Sequence, residues 1–384
     1  MPETWQTAGF GLYVHWPFCQ SKCPYCDFNS HVSQSVDQNE WAVAFEDELD
    51  RYAAELPGRV LRSVFFGGGT PSLMQASTVE RVLVRASGHW KFANDIEITL
   101  EANPGSVERG RFAAFRAAGV NRVSLGVQAL NDADLRKLGR LHSVADAMAA
   151  LDVARETFER VSFDLIYARQ DQKLSDWDSE LRMALAMSPD HLSLYQLTIE
   201  EGTAFGDRFS RGRLKGLPNE DLAADMYEVT QDLTLSAGLP AYEISNHAVP
   251  GAESRHNMIY WNAGDWVGIG PGAHGRLTVE GQRIATETNL SPSEWLSMAG
   301  NGCGEFRRES ISPTDAACEY LMMGLRTVEG VLMERVSLPH FPLFLNKIKN
   351  LEEIGLVKLT EGRLKLTDTG RPVLNAILRD LLPD

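Results

Sequence analysis

Three of the chain's five cysteines, Cys19, Cys23 and Cys26, crowd into one short stretch, FGLYVHWPFCQSKCPYCDFNSH over residues 10–31, with the spacing C-x3-C-x2-C. The apolar run Leu12–Trp16 before them reads as a buried strand that Pro17 ends. The cysteines therefore sit on a loop just past a strand's C-terminal end, where parallel α/β folds build their active sites. An iron–sulfur cluster fits best, because Cys thiolates are its usual ligands. In a [4Fe–4S] cube three protein ligands leave one iron open to a small molecule, which implies chemistry beyond electron transfer. Three other uses of these thiols compete. A disulfide needs an oxidising compartment, and no basic region followed by a long apolar run marks a secretory signal. A structural zinc site wants four closing ligands, which His15 or His31 could complete, so zinc stays open. A thioredoxin-type C-x-x-C uses Cys23 and Cys26 but leaves Cys19 idle. Cys303 and Cys318 stand alone and read as ordinary small residues.

Beyond the cysteine loop, strand and helix alternate. A helix is predicted over 39–55 with Asp37 as its N-cap, then a strand over Val60–Phe66 that runs into Gly67-Gly68-Gly69-Thr70-Pro71. Further strands are predicted at Ile96–Glu101, Arg122–Val127, Phe163–Tyr167 and His191–Leu197. Helices fall between them at 76–87, Val107–Ala118, 131–138, 143–156 and 174–187. Such βαβ alternation argues for a parallel sheet, closed or open. The strand ends carry unusual residues. The glycine run lets a ligand approach the backbone. Glu101 offers a carboxylate to hydroxyl donors, Gln128 both donates and accepts, Arg140 could grip a carboxylate, and Asp164 is a charge inside an apolar strand. Recurrence at successive strand ends marks one site.

With an aromatic residue, Tyr25, immediately before the last cysteine, the motif resembles the signature of radical S-adenosylmethionine (SAM) enzymes. Residues 10–30 resemble more specifically the group of oxygen-independent coproporphyrinogen III oxidase, and within it the HemW-like haem chaperones. The oxidase usually has a further cysteine two residues after the third, where this chain has Phe28, and an N-terminal extension, where this chain has only a dozen residues before the motif strand. The resemblance implies a partial (β/α)6 barrel with a [4Fe–4S] cluster on Cys19, Cys23 and Cys26. It implies SAM at Tyr13, Tyr25, Gly68, Gly69, Thr70, Glu101, Gln128, Arg140 and Asp164. The stretch DLIYARQDQ at 164–172 departs from the family, whose relatives usually turn with proline and glycine there.

A second distinctive stretch follows a long amphipathic helix at 219–236 and a predicted strand Tyr242–Asn246. It runs from His256-Asn257-Met258-Ile259-Tyr260-Trp261 to the glycine-rich Trp266–Gly275. Imidazole beside flat aromatic rings suits haem, although composition alone favours a histidine satisfied by the fold. The hexamer matches the H-N-x-x-Y-W motif of the HemW-like branch, and that resemblance makes His256 the expected haem ligand, with His274 near the SAM pocket. Ser312 and Pro313 then begin a small C-terminal unit of helices at 314–327 and 341–353, a hairpin across Thr360-Glu361-Gly362 and a helix at 369–382. This resembles a winged helix.

The expected organisation is α/β: a barrel over 1–245, a family-specific extension over 246–309 and a winged-helix-like α+β module over 310–384. A net charge of −15 argues against nucleic acid as a partner, despite the basic residues Arg363, Lys365 and Arg371. No run of 18 apolar residues suggests a membrane span. The resemblance implies a cytoplasmic haem chaperone that delivers haem to respiratory haem proteins. It leaves room for SAM cleavage, a homodimer and peripheral membrane association. The alternative is the oxidase itself, which decarboxylates porphyrinogen propionates.

Overall fold

The computed structural model describes residues 4–33, 35–107, 109–187 and 189–383. Glu108, within the helix predicted over Val107–Ala118, lies outside them. Six parallel strands follow in sequence order: β1 (Phe10–Trp16), β2 (Val60–Gly68), β3 (Lys91–Ala102), β4 (Arg122–Gln128), β5 (Arg160–Tyr167) and β6 (His191–Gln196). The connecting helices bury one apolar face each. In Gln38–Glu55, Asp37 caps the first turn by accepting from the N–H groups of Asn39 and Glu40, and Trp41, Phe45, Leu49 and Tyr52 turn inward.

The sheet continues past both ends of this series. At the far edge, β7 (Asn246–Ala248) pairs antiparallel with β6. The strand predicted over Tyr242–Asn246 is thus displaced toward the C-terminus. The Glu243 carboxylate accepts from the backbone N–H of Ser245 and the Asn246 amide, and this turns the chain where the apolar pattern suggested extension. On the other side of β1 lies a seventh parallel strand, β8 (Asp265–Ile269). The antiparallel strands β9 (His274–Val279), β10 (Gln282–Thr288) and β11 (Glu305–Ser310) follow it. The order across the sheet is β11-β10-β9-β8-β1-β2-β3-β4-β5-β6-β7. The glycine-rich run 266–275 is mostly regular structure. It forms a strand and a hairpin because Val267 and Ile269 are fully buried, and because Gly270 (φ +94°) passes where a Cβ would strike the His15 carbonyl. Asp265, also fully buried, binds both Arg59 and Arg283 and thereby fastens β8 to the start of β2 and to β10.

The C-terminal module has its own apolar core, with Leu321, Leu325, Ile348, Leu364 and Ile377 at its centre. Ser312 caps the helix Pro313–Gly324 as predicted. The hairpin strands β13 (Val357–Thr360) and β14 (Arg363–Leu366) turn through Glu361 and Gly362, both left-handed, and the short β12 (Val331–Leu332) completes a three-stranded sheet. The basic residues are dispersed: Arg363 donates to the Glu329 carbonyl and Lys365 faces the Glu329 carboxylate, whereas Arg371 turns toward the barrel. Among the described residues no helix is long and apolar enough to cross a membrane.

Candidate functional site: a thiol-lined cavity at the strand ends

The cysteine loop is fixed by the strands it follows. The N–H of Gly69 donates to the Trp16 carbonyl, that of Thr70 to Phe18, and that of His31 to Pro17. A Cβ on Gly69 would meet the backbone of Pro17 and Phe18 at 2.8–2.9 Å, and one on Gly68 (φ +109°) would meet the His15 ring at 2.6 Å. The glycine run therefore lets the end of β2 press against the cysteine loop. At the loop's far end, Asn29 donates to the carbonyls of Pro271 and Leu290, and its own carbonyl accepts from His15 at 2.9 Å. Burial lowers the His15 pKa to about 4, so the ring is neutral. With Nε2 donating to that carbonyl, Nδ1 accepts from the Tyr13 hydroxyl at 3.0 Å.

Cys19, Cys23 and Cys26 line one cavity together with Tyr25, Gly68, Gly69, Thr70, Glu101, Gln128, Arg140 and Asp164. An open ring of hydrogen bonds, whose two ends are thiols, stands behind Cys19 and Cys23. The Thr70 hydroxyl donates to Cys19 Sγ at 3.3 Å and accepts from Asn103 Nδ2 at 2.9 Å; Asn103 Oδ1 accepts from Arg140, which donates to Cys23 Sγ at 3.3 Å. Arg140 also donates to the Gly126 carbonyl at 3.0 Å. Arg140 thus ties the thiol loop to the ends of β3 and β4. Asn103 is not among the residues that the sequence singles out. Its short amide before a Pro-Gly turn is the one signal that marks it. Ser124, which donates to Asp164 at 3.2 Å, was missed because serine in a strand carries no signal.

The electrostatics suit a cation beside anionic sulfurs. Burial and the Asp164 charge push the Glu101 pKa up to about 8, although the Gly68 N–H donates to it; burial also lifts Asp164 to about 6. Burial raises the thiol pKa of Cys19 and Cys26, so each thiolate needs a positive partner. Gln128 ends β4 with a left-handed φ of +70°, a strained conformation of the kind that clusters at ligand sites. A [4Fe–4S] cube fits the donor set. The three cysteines line one cavity, and a cube asks three thiolates for three separate irons.

Two expected residues lie elsewhere. Tyr13 is one layer beneath the cavity, its hydroxyl on His15 and its ring stacked on Phe65 and His256. His274 is exposed at the β8–β9 turn, off the cavity wall. The hexamer His256–Trp261 forms most of the helix Arg255–Trp261, which packs against β1, β2 and β8. Its N-terminus accepts Glu97, whose carboxylate takes the Arg255 N–H at 3.0 Å, and His256 Nδ1 lies 3.3 Å from where a Cβ on Gly11 would be. The helix therefore plugs the barrel at the start of its strands, opposite the cysteine face. His256 is 2% exposed; its Nδ1 bonds Ser63 Oγ at 2.8 Å and its Nε2 bonds Tyr260 Oη at 2.7 Å. Both nitrogens are occupied, so this arrangement leaves none for haem iron. The stretch 164–172, which lacks the family's proline and glycine, turns through left-handed Ala168 and Asp171, and Arg169 holds it by pairing with Glu180 and Asp134.

Residues 13–184 match the profile of the radical SAM superfamily, and residues 311–373 match that of the HemN C-terminal domain. A mouse protein named radical S-adenosyl methionine domain-containing protein 1, mitochondrial, is 40% identical over 100% of this chain and 89% of its own length. The haem chaperone HemW of Escherichia coli is 39% identical over 83% of each chain, and that of Haemophilus influenzae 34% identical over 97% of this chain and 98% of its own. Among solved structures, the E. coli coproporphyrinogen III oxidase HemN superposes with a TM-score of 0.81 at 22% identity, covering 97% of this chain and 89% of that one, which confirms the radical SAM barrel and its C-terminal module as a shared fold. With relatives of this identity along nearly its whole length, the chain belongs to the radical SAM superfamily and, within it, to the HemW family.

Proposed function

We propose that the chain is a haem chaperone with a radical SAM core, which binds haem as cargo and delivers it to respiratory haem proteins. The observation that carries this reading is the Thr70–Asn103–Arg140 ring behind two of three thiols on one cavity, in a chain 39% identical to a protein named haem chaperone. Cys19, Cys23 and Cys26 would hold a [4Fe–4S] cluster. When bound, it would supply an electron and an open iron for a small-molecule ligand. The chain's own residues do the rest. Gly68, Gly69 and Thr70 receive the SAM amino end, and Glu101 and Asp164 become carboxylates against its positive charges. Gln128 and Tyr25 close the sides. Thr70 and Arg140 direct hydrogen bonds at the thiolate sulfurs, which stabilises their charge. The site works in a reducing, cytoplasmic setting, and a homodimer or peripheral membrane contact belongs to the same reading.

The oxidase reading is less well supported. Where the oxidase carries a further cysteine this chain presents Phe28, 58% exposed on the cavity rim. The test uses anaerobically reconstituted protein. Cys19→Ala, Cys23→Ala and Cys26→Ala should each lose the visible charge-transfer absorption of an iron–sulfur cluster. The parent should bind haem and leave coproporphyrinogen III unchanged. A cluster retained in all three variants, or porphyrinogen turned over with stoichiometric SAM cleavage, would overturn the reading.

A further inference from the structure

The thiol cavity opens into a second and larger space, a cleft of about 800 Å³ between the barrel mouth and the C-terminal module. Its volume is in the range of a drug-sized ligand site. The barrel side supplies flat and apolar surface from Phe28, Tyr195 and Tyr227, and the module closes over it with Arg326, Arg371 and Leu374. Tyr25, Cys26, Glu101 and Asp164 border both spaces, so whatever fills the cleft touches the cluster site.

The two arginines are out of keeping with the rest of the molecule. The chain has 52 acidic and 37 basic residues, and most of its arginines lie against carboxylates. Among the described residues neither Arg326 nor Arg371 forms an ion pair. Arg326 lies over the Trp261 ring, 6.0 Å from its centroid. Arg371 faces the Tyr227 phenol, and its Nη1 is shielded from water with no well-formed hydrogen bond among the described residues. A half-buried guanidinium with a neutral phenol beside it and no carboxylate paired with it is under-satisfied, and a ligand carboxylate supplies two acceptors in the geometry that arginine prefers.

We propose that this cleft is the cargo site: a flat, dicarboxylated tetrapyrrole lies against the tyrosine and phenylalanine rings, with its carboxylates held by Arg371 and Arg326. The proposal rests on the chaperone reading and locates its cargo away from His256. No histidine or methionine is among the described residues that line the cleft. Release to an acceptor therefore breaks no iron–nitrogen bond, and in this proposal the macrocycle faces and the carboxylates, not an axial phenolate from Tyr195 or Tyr227, carry the affinity. Seating beside Cys26 and Glu101 also lets cluster and SAM occupancy bear on the cargo directly.

Equilibrium titration of the full-length, cluster-reconstituted protein tests this with three probes: haem, metal-free protoporphyrin IX and protoporphyrin IX dimethyl ester. Protoporphyrin should bind within roughly tenfold of haem, and the ester much more weakly. Arg371→Gln and Arg326→Gln should each weaken haem and protoporphyrin binding by roughly 10- to 100-fold, the range for a lost charge-assisted bond. Both variants should level the difference between acid and ester. Cluster absorption and thermal stability, read on the same samples, show that the variants are folded. If the parent binds haem but the arginine variants bind it equally well, the cleft is not the site and the chaperone reading stands. If the parent binds no haem, the chaperone reading itself fails. If protoporphyrin does not bind while haem does, iron ligation dominates and the proposal is wrong.

Discussion

Glu101 and Asp164 set the pH behaviour of the cavity. Both carboxyl pKa values are raised, to about 8 and about 6, so both groups are protonated in acid and ionise across that window. SAM brings a permanent sulfonium charge, which favours the ionised forms. Binding therefore releases protons, and affinity should tighten by up to about tenfold per pH unit while a carboxyl titrates. Isothermal titration between these limits checks the sign; affinity that falls as pH rises would place the ligand's positive groups elsewhere. Asn103 carries a second expectation at this scale. Asn103→Ala removes the donor to Thr70 and the acceptor for Arg140, so the ring behind Cys19 and Cys23 breaks. The variant should lose iron and sulfide faster than the parent on exposure to air, measured chemically over time. An unchanged rate would make the ring incidental.

Among the elements, the helix Arg255–Trp261 has the clearest consequence. It closes the end of the barrel that in such folds governs stability and not chemistry. His256→Ala removes a buried ring and strands Ser63 Oγ and Tyr260 Oη, a loss of about 2–4 kcal/mol. His256→Gln keeps hydrogen-bonding groups and should recover part of that stability with haem affinity intact. Haem binding lost in a stable His256→Gln would return iron ligation to this residue. The same helix shows where sequence reading stops. Its capping serine and aromatic residues are visible in order, but which end of the barrel it fills depends on β8 pairing with β1 across more than 250 residues, and no local pattern encodes that pairing. By contrast, β1 to β6 and their helices were legible because each is a short apolar run or a helical repeat bounded by Gly, Pro or a cap. Val60–Gly68 ending in glycines and Gln38–Glu55 behind Asp37 are the plainest cases. The Tyr242–Asn246 strand misled because the Glu243 carboxylate, and not its apolar neighbours, decides the local backbone.

At the scale of the molecule, the barrel mouth and the C-terminal module make one face. The cysteines, glycines and strand-end carboxylates came through in sequence because metal ligation and close backbone approach demand those residue types. Arg371 did not, since within the sequence it stands with Arg363 and Lys365, and only folding turns it toward the barrel while its neighbours meet Glu329. That dispersal, with the net charge of −15, leads to an expectation of no retention on duplex DNA at physiological salt, checked by gel shift. The central claim is that this face takes up haem and gives it away. The most direct measurement loads the reconstituted protein with haem, mixes it with an apo haem protein and follows the Soret band of both. The chaperone reading calls for about one haem per chain bound and passed on to the acceptor with no porphyrinogen chemistry. Haem that never binds stoichiometrically, or that binds and cannot be surrendered, would contradict it.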